Sequence, residues 1–300
     1  MSALETAPTP PDETELRRRI EVDAAWVITA PALVQPSFWQ GAGVEAAGCE
    51  VWRLPSASEL FAQAELNAWW RNKNRLGHHF EFVHSALLRA QPGVVVHALN
   101  LSLQGAKQTL GEIDCLYSNA RGEVIHREVA VKYFLGFAES DQLANWVGTS
   151  KTDRLDLKLK RLAEHQAKLA DLALQQQAWP SALPFPVRRE VLMLGAFFKH
   201  PTHSAWPAVM AKSAEGGFWC TTEQFVRLVP EDSSWACLHK PWWLDPKHRW
   251  SAPRMTAVQV AADVQAHRHP LLIADVGLPE GLPLQGRGFV VPNGWEANPP

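Results

Sequence analysis

The chain has 300 residues, long enough to bury one large core or two modest ones. Hydrophobic residues make up 46% and charged residues 20%, a globular balance that argues against extended disorder. A net charge of −2 gives no whole-molecule attraction to nucleic acid or an anionic membrane, so any polyanion site has to be a local patch.

Cys49, Cys115, Cys220 and Cys237 are widely spaced and form no CxxC pair, which predicts reduced thiols rather than a disulfide scaffold. The opening residues are acidic and Pro-rich, unlike a signal or transit peptide. No apolar run approaches the ~18 residues of a membrane span. The expectation is a cytoplasmic protein with no membrane partner.

In chain order, residues 1–13 read as a flexible tail and 14–57 as an N-terminal helical and loop segment. Its basic triplet, Arg17 to Arg19, precedes an apolar stretch, Ala24 to Ile28, and Pro31 and Pro36 close the helix. Ser56 and Ser58 can cap a helical region reaching about Ala90, in which Leu76, Phe80, Val83 and Leu87 share a stripe. Three strand-like runs follow, about 94–103, 109–118 and 124–135, joined by short turns that favour an antiparallel meander. Leucines at helical spacing then predict one long helix from about Thr152 to Ala178, ended by Pro180. Val191 to Phe198 reads as a buried strand. Residues 58–200 thus form a core in the order α-β-β-β-α-β. From 201 to 300, Trp and Pro punctuate strand-like pieces at Thr222–Val229, Leu271–Val276 and Gly288–Val291, which reads as a smaller β- and loop-rich C-terminal region.

Side chains of a strand alternate between its faces. On the second strand Glu112 and Asp114 therefore share a face with Leu110 and Leu116. On the third, Glu128, Ala130 and Lys132 share one. A Lys within the run VAVKYFL is costly to bury without a charge partner, and the carboxylate pair of the neighbouring strand is the expected one. Glu81 comes from the helix before the sheet. Gln166 falls within the leucine stripe of the helix after it and needs polar company there. Beside that stripe Arg154, Lys158, Arg161, His165 and Lys168 recur at helical spacing, a candidate rail for phosphates or, equally, a solvated basic face. Fourteen tryptophans, nine of them from Trp146 onward, offer either base-stacking surfaces or core material for the C-terminal region. Cys220, Cys237 and His239 fit no common zinc spacing.

This arrangement resembles the PD-(D/E)XK, or restriction-endonuclease-like, nuclease superfamily. More narrowly, Arg75–Glu81 (RLGHHFE), Thr109–Asp114 (TLGEID), Glu128–Leu135 (EVAVKYFL) and Asp153–Leu159 (DRLDLKL) look like a bacterial family named domain of unknown function 1853. The resemblance implies an α/β, restriction-endonuclease-like core with a mixed sheet. It also implies that Glu81, Asp114 and Glu128 bind Mg²⁺ or Mn²⁺, that Lys132 orients or activates the attacking water, and that Gln166 supports the site. Arg154, Lys158 and Arg161 would then meet the phosphates of DNA or RNA. One position departs from the pattern: Ala130 stands where the superfamily carries an acid. Glu128 lies ~7 Å further along the strand on the same face, and either Glu112 on the adjoining strand substitutes for the missing acid or the site is crippled. The function expected is metal-dependent phosphodiester hydrolysis. The alternative is a degenerate member that binds nucleic acid or a protein partner without cutting.

Overall fold

The computed structural model describes residues 12–49, 52–61, 65–66, 69, 75–138, 141–278 and 282–297. Most of the expected tail lies outside them. Its last two residues instead cap and open helix α1 (Glu13–Thr29), where the Asp12 side chain accepts from Glu15 N at 2.9 Å. Leu16, Ile20, Ala24 and Val27 turn inward at spacings of three and four. The Arg17–Arg19 triplet is paired within the same helix: Arg17 with Glu13, and Arg18 and Arg19 with Glu15. Short elements α2 (Pro36–Gly41), β1 (Glu45–Ala46) and α3 (Ala57–Leu60) follow. Helix α4 (Leu76–Arg89) buries the expected stripe, with Phe80, Val83 and Leu87 fully enclosed. Each such side chain contributes about 1.5–3 kcal/mol by leaving water.

Strands β2 (Val95–Gln104), β3 (Thr109–Ser118) and β4 (Val124–Gly136) form the antiparallel meander. On its other edge β4 pairs in parallel with β6 (Arg188–Lys199), from Ile125 opposite Arg188 to Gly136 opposite Lys199. A parallel pair requires a crossover. Here it contains β5 (Trp146–Val147), α5 (Leu155–Glu164) and α6 (Leu169–Gln175).

The single helix expected over 152–178 is therefore two. His165, at φ −124° and ψ −64°, ends α5, and a 3₁₀ turn over Gln166–Lys168 leads into α6. Local propensity favours continuation through this stretch; tertiary hydrogen bonds of Gln166, described below, override it.

The C-terminal region does not stand apart as strands and loops. Strands β7 (Glu215–Thr221), β8 (Ser234–Leu238), β9 (Arg254–Thr256), β10 (Leu271–Asp275) and β11 (Arg287–Val291) extend the same sheet. Among the described residues the sheet has 11 strands in the order β2-β3-β4-β6-β7-β11-β10-β8-β9, with β1 on β6 and β5 on β4. The piece expected as a strand at Thr222–Val229 is helix α7 (Thr222–Leu228). Thr221 and Gln224 close a reciprocal capping box at its start, which outweighs the β-branched composition. Helix α8 (Ala257–His267) has the same box from Thr256 and Gln259.

The fold is thus mixed α/β. The face of β4 bearing Val129, Val131 and Tyr133 packs with α1 and α4, while Ala130 and Phe134 pack with α5 on the other face. Leu110 and Leu116 of β3 meet α6. Trp219 and Trp235 are fully buried and Trp243 nearly so, which makes them core material. No described helix is long and apolar enough to cross a membrane.

Candidate functional site

β3 and β4 pair only from Ser118 opposite Val124 to Cys115 opposite Arg127. Continuing that register by one step puts Asp114 opposite Glu128, and there the strands part. β4 regains a neighbour on that edge at Leu135, opposite Val147 of β5. Between these points the edge is open among the described residues. Asp114 reaches across the split, its Oδ2 accepting from Val129 N at 2.8 Å.

Two cavities flank this opening. One of about 310 Å³ is lined by Glu81, Lys132, Asp153, Lys158 and the β4 edge from Val129 to Tyr133. The other, about 250 Å³, includes Glu81, Asp114, His78 and Asn100. Glu81 and Val129 belong to both and form the divider.

The groups beneath the split form a chain of hydrogen bonds. His126 Nε2 donates to Glu128 Oε1 at 2.7 Å, and both side chains are fully buried. Gln166 Nε2 donates to Glu128 Oε2 at 2.9 Å, and Lys158 Nζ donates to Gln166 Oε1 at 3.2 Å. The amide faces its oxygen to the ammonium and its nitrogen to the carboxylate, the orientation in which every contact is favourable. Gln166 makes these bonds from the 3₁₀ turn that follows the helix break at His165.

Burial and the charge of Glu128 push the Asp114 carboxyl up to about 8, with Glu81 adding to the rise and the Val129 amide and Lys158 opposing it. Glu81 is raised mainly by burial, with Glu112 and Glu128 contributing, against His78 and Lys158. Lys158 is lowered by burial first and then by Lys132. The cleft therefore gathers more negative charge than its cations offset. Its tendency to hold protons is also a tendency to hold a cation.

Glu81, Asp114, Glu128, Gln166, Lys158 and Lys132 all reach this region. Glu112 is exposed on β3, and its charge is felt at Glu81. The basic rail does not form. Arg154 binds Asp156 through two hydrogen bonds of 3.0 and 2.6 Å, Arg161 is exposed, and Lys158 turns inward. The helix break removes His165 and Lys168 to a different cavity, with Asp171.

Lys132 also departs from the expected pairing. Its partner is Asp153, with Nζ 2.8 Å from Oδ2, not the β3 carboxylates, because β3 has already diverged at that level. Asp153 and His126 are not among the expected site residues. His126 was within reach of the alternation argument, since it shares the Glu128 face. Asp153 lies in the segment before α5, where no periodicity identifies a partner.

Hard divalent cations favour carboxylate oxygens, and the raised Glu81 and Asp114 carboxyls fit that chemistry. Among the described residues no three His, Cys, Asp or Glu side chains form a group able to hold a metal ion as they stand. Glu81 has freedom to adjust, since its nearest ion-pair partner is His78 Nδ1 at 3.9 Å.

Fold and site together define a mixed α/β protein whose ionisable cleft opens where two strands of one sheet part. The chain belongs to the family described as Domain of unknown function (DUF1853), which it matches over residues 22–291. No curated protein and no solved structure matches it.

Proposed function

We propose that the protein is a metal-dependent phosphodiesterase acting on DNA or RNA, built on a restriction-endonuclease-like core of α4, β2–β4, the α5–α6 crossover and β6. The observation that carries the reading is the convergence of Glu81 from a helix, Asp114 from one strand and Lys132 from the next onto a single split in the sheet. In this reading Glu81 and Asp114 hold Mg²⁺ or Mn²⁺. Glu128, given the same task by the resemblance, keeps its two hydrogen bonds and adds negative potential. When bound, the cation would supply positive charge against a phosphoryl oxygen. Lys132, held by Asp153, stands at the open edge, where its ammonium can orient a water and stabilise charge developing on the phosphate. Gln166, held by Lys158, positions Glu128.

A second reading has its own support. Ala130 replaces an acid on the cleft wall, and Glu128 has both oxygens engaged, as expected of a member that binds nucleic acid or a protein partner without cutting. The test is incubation with single- and double-stranded DNA and RNA in Mg²⁺, Mn²⁺ or EDTA, alongside Asp114→Ala and Lys132→Ala. Metal-dependent cleavage lost in both variants supports the enzyme. Binding that survives both substitutions, without cleavage under any metal, favours the second reading.

A further inference from the structure

Beside the carboxylate cleft lies a larger cavity of about 640 Å³. The two share Thr149, Ser150, Lys240 and Trp243, so one gives onto the other. Among the described residues, the ionisable side chains lining the larger one are Lys151, His239, Lys240, Arg268 and His269, with no carboxylate among them. The acids whose charge reaches it stand outside the lining: Glu296 acts on Lys151, Asp263 on His239, and Asp153 on Lys240. In a chain of net charge −2 this is a strong local concentration of cations.

Two of those cations are held over aromatic rings. Lys240 Nζ lies 4.7 Å from the Trp243 ring centroid, and Lys151 Nζ lies 4.6 Å from that of Trp295. Such contacts help hold an ammonium group in place, and Lys151 Nζ also donates to the Trp295 carbonyl oxygen. The backbone gives an independent indication. Among the described residues four non-glycines have positive φ, and two of them, Lys151 at 62° and Arg268 at 54°, line this cavity. That conformation suits Gly or Asn, so long basic side chains there go against local preference, a strain that clusters at ligand sites.

We propose that this cavity binds the phosphates of a single nucleic-acid strand, the nucleotides flanking the bond that lies in the carboxylate cleft. The assignment rests on the nuclease reading for its continuity with the cleft and on the cation-only lining for its ligand. The volume is that of a pocket enclosing one small ligand. A duplex, with its two strands held together, is too bulky to enter a pocket of that volume. Lys151, Lys240 and Arg268 take the phosphates, and the exposed His239 and His269 rings lie beside them for base contact.

The experiment measures anisotropy of a labelled single-stranded oligonucleotide in EDTA, with its duplex, a mononucleotide and inorganic phosphate as competitors. Lys151→Asn and Arg268→Asn remove charge while suiting the left-handed backbone, and Arg268→Lys keeps the charge. The wild type should prefer the single strand to the duplex by at least about tenfold. Each Asn variant should weaken binding about tenfold with melting unchanged or raised, and should lower the slope of log K against log salt by about 0.7. Arg268→Lys should bind near the wild-type level.

No binding by the wild type, equal duplex affinity, displacement by phosphate as effective as by the oligonucleotide, or an unchanged salt slope in the Asn variants would each overturn the assignment. Cleavage is scored separately in Mg²⁺. Binding lost in the Asn variants of a protein that never cuts keeps the cavity and removes the nuclease. Cutting with unchanged KM in both Asn variants does the reverse.

Discussion

Replacing Asp114 by Asn separates the charge in the cleft from its hydrogen bond. The amide oxygen can still accept from Val129 N, now 2.8 Å from the carboxylate, while the negative charge is gone. Burial, then the charges of Glu128 and Glu81, push the native carboxyl up to about 8 from a reference of 3.8. About four units at about 1.4 kcal/mol each set a ceiling near 6 kcal/mol on what ionisation costs the fold. The side chain is partly exposed and solvent relaxes around it, so about 2 kcal/mol is expected.

The sign follows from linkage. A raised carboxyl favours the folded state while protonated; that contribution is complete below about 3.8 and is lost as pH rises through about 8. In EDTA, Asp114→Asn should therefore melt about 5 °C above the wild type at pH 8.5, with the gap closing below pH 4. Adding Mg²⁺ should raise the wild type and leave the variant unmoved, since only the wild type offers the second carboxylate. Differential scanning fluorimetry across pH reads both effects. A variant no more stable than the wild type at pH 8.5, or a gap independent of pH, refutes the account of the charge in this cleft.

Two further substitutions test the frame around the site. In Gly195→Ala, the new Cβ would lie 1.8 Å from the Lys132 carbonyl oxygen at a φ of +137°, so β6 cannot keep its register beside β4. A loss of about 4 kcal/mol or more is expected in chemical denaturation, and wild-type stability would contradict the packing described. Asp23 is fully buried and accepts from His79 Nε2 at 2.7 Å and His248 Nε2 at 2.8 Å, joining α1 and α4 to the C-terminal region. Burial raises its carboxyl, but His248 and His79 outweigh that and hold it below the usual carboxylate range. Its stabilisation is therefore present above about 3.8 and lost as pH falls through the lowered value. Asp23→Ala should cost about 3–5 kcal/mol at pH 7 in urea unfolding, and the difference should shrink in strong acid. A constant difference across pH would count against an ionised Asp23.

The sequence by itself determined the parts whose cause is local. Alternation over Thr109–Ser118 and Val124–Gly136 marked β3 and β4 and put Glu128 and Lys132 on one face. The Leu76–Phe80–Val83–Leu87 stripe marked α4, and the unbroken apolar run at 191–198 marked β6. Even the capping box of α7 was written in Thr221 and Gln224, though the strand-like residues after it read more loudly.

Only the tertiary structure decided the rest. The split between β3 and β4, the end of α5 at His165, the pairing of Lys132 with Asp153, and one sheet running from β2 to β9 each depend on partners distant in the chain. Periodicity reports which way a side chain faces along its own element. What it meets there is set when separate elements pack, because a hydrogen bond or an ion pair is worth making only where the whole fold has brought both groups out of water together.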